Sequence, residues 1–130
     1  AAPSSEYGTR NTTVLLGFAA AVDFLTAVGR DAAMARAASL ADRLRTGLEP
    51  LNGVDMLTPA DPASRAAILA FKLPDAGGDP WDWCNMLRRE HDMRLRPVGE
   101  AGLNAVRAST HLFNSEDEVD RLVEVLATLL

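Results

Sequence analysis

The chain has 130 residues, 48% hydrophobic and 24% charged, which is enough for one compact domain with a single core and too little for a two-domain enzyme. Its net charge of -5 is spread along the sequence and its arginines form no basic stripe with interleaved aromatics, so nucleic acid is excluded as an expected partner. One cysteine, Cys84, rules out a disulfide framework and a cysteine-built zinc site, which points to a reducing, cytoplasmic compartment.

Residues Ala1 to Tyr7 are small and polar and read as an extended lead-in to a helix that starts near Thr12 or Thr13, either hydroxyl serving as the cap. Leu15, Phe18, Ala19, Val22 and Leu25 recur at helical spacing, and Gly29 ends the helix in a left-handed turn. The apolar run from Val14 to Val22 is interrupted by Gly17 and falls short of the roughly 20 residues a membrane span needs. No membrane is expected, and no basic region with an apolar core and cleavage site marks a secretory signal.

Asp31 is the expected cap of a second helix, with Met34, Ala37, Ala41, Leu44 and Leu48 on one face and Arg36 and Arg43 off it, ending near Glu49-Pro50. A short strand follows from Gly53 to Thr58, then a loop from Pro59 to Ser64. The continuous apolar run from Ala66 to Leu73 predicts a strand buried on both faces. Asp79 followed by Pro80 starts a third helix that runs to about Glu90, with Trp83, Met86 and Leu87 on its apolar side.

Strands over Met93 to Arg96 and Leu103 to Ser109, joined by Gly99-Glu100-Ala101-Gly102, are arranged to pair as a hairpin. Ser115 and Glu118 form a capping box for the last helix, whose stripe is Val119, Leu122, Val123, Leu126 and Leu130. The order ααββαββα predicts an α+β fold, helices packed on a small mixed sheet.

Two stretches carry candidate chemistry. Gly8-Thr9-Arg10-Asn11 stands just before a helix N-terminus, where free backbone N–H groups favour an anion such as phosphate, although taken alone the run reads first as Thr9 and Asn11 capping the helix. In the strand Leu103 to Ser109, the period of two sets Arg107 opposite the packing face of Val106 and Ala108. Arg107 is then either a fork for bidentate carboxylate recognition or an ordinary ion-paired arginine. His111 and Asn114 either contact a ligand or satisfy local backbone groups. Cys84 reads as a buried, unreactive thiol, and Trp81 and Trp83 as core or interface residues. No self-sufficient catalytic constellation is present, so neither a catalytic residue nor a metal ligand is expected in this chain.

Gly8-Thr9-Arg10-Asn11 and the run Val106-Arg107-Ala108-Ser109-Thr110-His111-Leu112-Phe113-Asn114-Ser115, about a hundred residues apart and followed by an acidic helix start, resemble the class V aminotransferase family over nearly the whole chain. The resemblance implies a fold-type I enzyme using pyridoxal 5'-phosphate, of which residues 1–130 form the small C-terminal domain, with residues 1–11 as a lead-in bearing the phosphate-contact loop. It implies a missing N-terminal large domain carrying the Schiff-base lysine, because the one lysine here, Lys72, lies in a strand away from any such motif. It further implies a homodimer in which Gly8 and Thr9 reach the cofactor phosphate of the neighbouring subunit, and an α-carboxylate of an amino-acid substrate bound by Arg107, with Arg96 a weaker candidate for the same pocket.

Cysteine desulfurases of this family carry a persulfide-forming cysteine on the loop corresponding to Pro97 to Gly102, and this loop has none. The departure favours the branch resembling isopenicillin N epimerase and carbon–sulfur lyases. Two other classes compete: a free-standing, non-catalytic module that binds a small carboxylate through Arg107, and an interaction domain using an exposed apolar patch around Trp81.

Overall fold

The computed structural model describes residues 11–130, so the expected lead-in and Gly8 and Thr9 lie outside the described residues. Two compact units divide the chain, Ala1–Ala33 and Met34–Leu130.

In the first unit, helix α1 (Thr12–Val28) is capped by Asn11, whose side-chain oxygen accepts the N–H of Val14 at 3.2 Å. The cap falls one residue before the expected threonines because Asn11 is extended, as a cap must be, while Thr12 and Thr13 are already helical. Gly29 ends the helix at φ 93°, a conformation that strains any residue bearing a Cβ. No α1 residue is buried, including Leu15, Phe18, Ala19, Val22 and Leu25, whose helical spacing reads as the apolar side of an amphipathic helix. Val14, Leu16 and Phe24 are apolar too, so the helix is not amphipathic but apolar on every side.

Helix α2 (Arg30–Leu48) begins before Asp31, leaving that carboxylate in the first turn, where it still complements the helix dipole. In the second unit its buried face is Ala37, Leu40, Ala41, Leu44 and Leu48; Met34, expected there, is 63% exposed. Arg45 is also buried. Its guanidinium donates to the backbone oxygens of Thr58 and Pro59 and to Glu49 Oε1 at 2.7 Å, tying the helix to the loop before the central strand.

Strands β1 (Asp55–Met56), β2 (Ile68–Lys72), β3 (Arg96–Val98) and β4 (Ala105–Ser109) form one sheet in the order β1-β2-β4-β3. All three pairings are antiparallel, so the sheet is not mixed as expected. Consecutive strands paired antiparallel need only short connections, and the order allows this for β1–β2 and β3–β4. In β2, Leu69 and Phe71 are buried while Ile68 is exposed and Ala70 and Lys72 are half-buried, so helices cover one face instead of both.

Leu69, Phe71, Val106 and Ala108 present that covered face to α2, to Trp83, Cys84 and Leu87 of α3 (Pro80–His91), and to Val119, Leu122 and Leu126 of α4 (Glu116–Leu129). Both helix starts lie where the sequence placed them. The Asp79 side chain accepts the N–H groups of Trp81 and Asp82, and Ser115 and Glu118 exchange bonds in a capping box. Helix α3 closes through Asp92 in the left-handed conformation at φ 57°. Of the expected α4 stripe, Val123 is half-buried and Leu130 is exposed.

Candidate functional site

Strand β4 decides what the site can be. Val106 and Ala108 enter the core, so Arg107 between them belongs to the opposite face, where Ala105 is fully buried and Ser109 is exposed. The register places Ala70 of β2 and Arg96 of β3 on either side of Arg107, a row across the sheet of one small residue and two arginines. Hairpin pairing of β3 and β4 is as expected, though β3 starts at Arg96 and not Met93, because Met93 and Leu95 pack against the core before the sheet begins.

A cleft of about 750 Å³ opens on this face, and Trp81, Leu95, Arg96, Pro97, Glu100 and Arg107 line it. Both arginines expected at a substrate site are thus in one cavity. Arg107 is half-buried; its Nε is shielded from solvent and has no hydrogen-bond partner among the described residues. Arg96 instead bonds Glu100 of the connecting turn. The Glu100 carboxyl is held below the ordinary carboxylate range, first by its own backbone N–H, then by Arg96, with a smaller pull from Arg107. In that turn Ala101 takes the left-handed conformation at φ 55°.

Two like charges directly opposite one another in neighbouring strands repel, and a carboxylate between them relieves this only in part. With Glu100 engaged on Arg96, Arg107 is the cleft arginine whose guanidinium is left without a carboxylate partner among the described residues, and a planar guanidinium in a cleft lining suits an anion.

The remaining candidates fall elsewhere. Asn114 takes the local alternative: its side chain accepts the His111 N–H at 2.9 Å and donates to Glu118 at 3.1 Å. His111 stacks on Phe113, ring centres 4.7 Å apart, and lines no part of the cleft. The two tryptophans separate. Trp83 is buried, with Nε1 donating to the Pro74 oxygen at 3.2 Å, whereas Trp81 is 61% exposed at the cleft. Cys84 is buried, as expected, and burial pushes its thiol up to about 11.

Lys72 is half-buried in β2 opposite Asp55, and the cleft lining contains no lysine. Among the described residues no group of three His, Cys, Asp or Glu is placed to hold a metal ion, and no single helix is long and apolar enough to cross a membrane. The sequence missed Trp81 as a cleft residue and Glu100 as the partner of Arg96. Only the spacing of Arg96 and Glu100 across a tight turn hinted at the second.

Comparison with known proteins identifies the family. The aminotransferase class-V family model matches residues 2–122. Isopenicillin N epimerase of Amycolatopsis lactamdurans is 34% identical over 125 residues, covering 94% of this chain and 30% of that protein. A cysteine desulfurase of Salmonella newport is 32% identical over 130 residues, covering 95% of this chain and 31% of that protein. Among solved structures, a cysteine desulfurase from Thermococcus onnurineus NA1 superposes with a TM-score of 0.85 at 28% identity, covering 95% of this chain and 32% of its own. One from Escherichia coli gives 0.78 at 27% identity, covering 96% and 33%. The chain spans about a third of the length of these relatives. With the match running over most of its length, the chain belongs to the aminotransferase class-V family.

Proposed function

We propose that the chain is the C-terminal domain of a pyridoxal-phosphate enzyme and that Arg107 holds the α-carboxylate of its amino-acid substrate. The observation that carries this reading is that Arg107 lines a cleft with Arg96 while Glu100 pairs with Arg96 alone. A planar fork fixed on a strand binds a carboxylate in one orientation, which is what a reaction at the α-carbon requires.

The cofactor, bound in the parent enzyme, supplies an electron sink for negative charge at the α-carbon. Its Schiff-base lysine belongs to the part of the enzyme outside these residues, in a large domain this chain partners. Gly8 and Thr9 complete the phosphate site of a neighbouring subunit in a homodimer. Arg107 orients, Arg96 adds positive potential, and Glu100 keeps Arg96 from competing for the same carboxylate.

The reaction is of the epimerase or carbon–sulfur lyase type. No cysteine stands in Pro97 to Gly102, and the one thiol of the chain is buried in α3 with its ionisation suppressed, which disfavours sulfur transfer through a thiolate of this chain.

Acetate, the minimal carboxylate, tests the anchor. Titrated into the chain while the Arg107 Nε–H resonance is followed by NMR, it shifts that resonance saturably, and Arg107→Ala abolishes the binding. An unmoved Arg107 signal overturns the reading. The intact mass of the natural gene product separates it from a free-standing module: the reading expects roughly three times 13.9 kDa, in line with the third of its relatives that the chain spans, and a 13.9 kDa product contradicts it.

A further inference from the structure

A cleft of about 750 Å³ is far larger than a carboxylate needs, so the atoms beyond that group meet the rest of the lining. Three features define what they meet.

The first is Trp81. It stands in the opening turn of α3, where the Asp79 side chain accepts its backbone N–H at 2.7 Å and Pro80 precedes it, so the indole is carried on a fixed helix start. Trp83, two residues on, turns into the core, and the helical rotation between them leaves Trp81 as the aromatic at the cleft. An indole left 61% exposed beside an arginine-bearing cavity is apolar surface available to a ligand.

The second is that Leu95 and Pro97, both half-buried, supply further apolar lining. The third is charge. Arg94, Arg96 and Arg107 outnumber Glu100 along the lining, which disfavours a ligand whose side chain, away from the α-carbon, ends in a cation. Glu100 already occupies Arg96, so a second carboxylate would have to displace it.

We propose that Trp81 is the wall of a side-chain subsite and that the cleft selects carboxylates bearing a large apolar or aromatic group over small ones. This rests on the reading of Arg107 as the carboxylate anchor and adds a specificity-determining residue to it. The indole face stacks on the ligand's apolar group while Arg107 fixes the carboxylate, two separated points that together orient the molecule.

The test compares acetate with 3-phenylpropionate on the chain, following the Arg107 Nε–H and the indole N–H signals by NMR. Both ligands shift Arg107, and phenylpropionate binds about tenfold tighter, the scale expected of one aromatic stacking contact with its buried area. Trp81→Ala removes the difference between the ligands; Trp81→Phe retains most of it. Trp83, hydrogen-bonded in the core, reports whether the variants keep the native fold. Equal affinity for the two ligands, or a difference that survives Trp81→Ala, overturns the subsite while Arg107 stands. If neither ligand moves Arg107, subsite and anchor both fall.

Discussion

Arg96 and Arg107 are direct cross-strand partners, and only Arg96 has a carboxylate of its own. This asymmetry assigns different parts to two arginines that look alike in the sequence, and the first expected outcome follows from it.

Removing the negative charge of Glu100 strengthens anion binding at Arg107. Glu100→Gln eliminates a carboxylate whose field reaches Arg107, and it frees Arg96 to add its own attraction. The acetate dissociation constant falls a few-fold, more at low than at high salt, because exposed charges are screened. An unchanged or weaker affinity shows that Glu100 does not act as the counter-ion of this pair.

Helices α2 and α4 are joined by charge on the surface. Arg36 bonds Glu116 at 2.8 Å, and Arg43 grips both oxygens of Asp120 at 2.6 Å. Hydrogen bonds from Arg36 and Arg43 hold Glu116 and Asp120, respectively, below their ordinary carboxylate values. A carboxylate lowered in the folded state stabilises the fold above its unfolded pKa, and that contribution disappears as pH falls through the lowered value. The melting temperature therefore drops on acidification below the usual carboxylate range, and Arg43→Met makes the drop shallower. An acid limb equally steep in the variant contradicts the assignment.

Cys84 resists alkylation. With its thiol pushed up to about 11 and packed beside Trp83 and Leu87, it carries little thiolate at pH 8, so iodoacetamide modifies it far more slowly in the native chain than in urea. Equal rates in the two states contradict the packing described.

Phe71 is the largest fully buried side chain among the described residues and joins the sheet to the helices. Phe71→Ala removes its burial and leaves a cavity, a loss of about 3–5 kcal/mol in urea unfolding. A loss below about 1 kcal/mol would mean that the core closes over the site.

What could be read in advance was mostly local. Asp79-Pro80 and Ser115 with Glu118 mark helix starts because capping involves residues three apart, and the structure has both. The side of β4 that carries Arg107 follows from alternation alone. Long-range features were not legible. That Arg96 faces Arg107 depends on a register set by the turn with Ala101 in the left-handed region, and alanine does not advertise that conformation. Trp81 and Trp83 share a helix and a residue type, and only tertiary packing sends one to the core and the other to the cleft. The two-residue β1 exists through its pairing with β2, so its bounds could not come from its own sequence. On α1, apolar spacing indicated a stripe, yet apolar residues occupy the other sides as well.

Steady-state kinetics of Arg107→Ala in the full-length enzyme, beside the unchanged enzyme and Arg107→Lys, test the central claim most directly. Loss of a charge-assisted, two-pronged carboxylate contact worth roughly 1.5–3 kcal/mol raises KM for the amino-acid substrate about 10- to 100-fold, with kcat less affected and lysine restoring part of the loss. If KM and turnover are both unchanged in Arg107→Ala, Arg107 does not hold the substrate carboxylate.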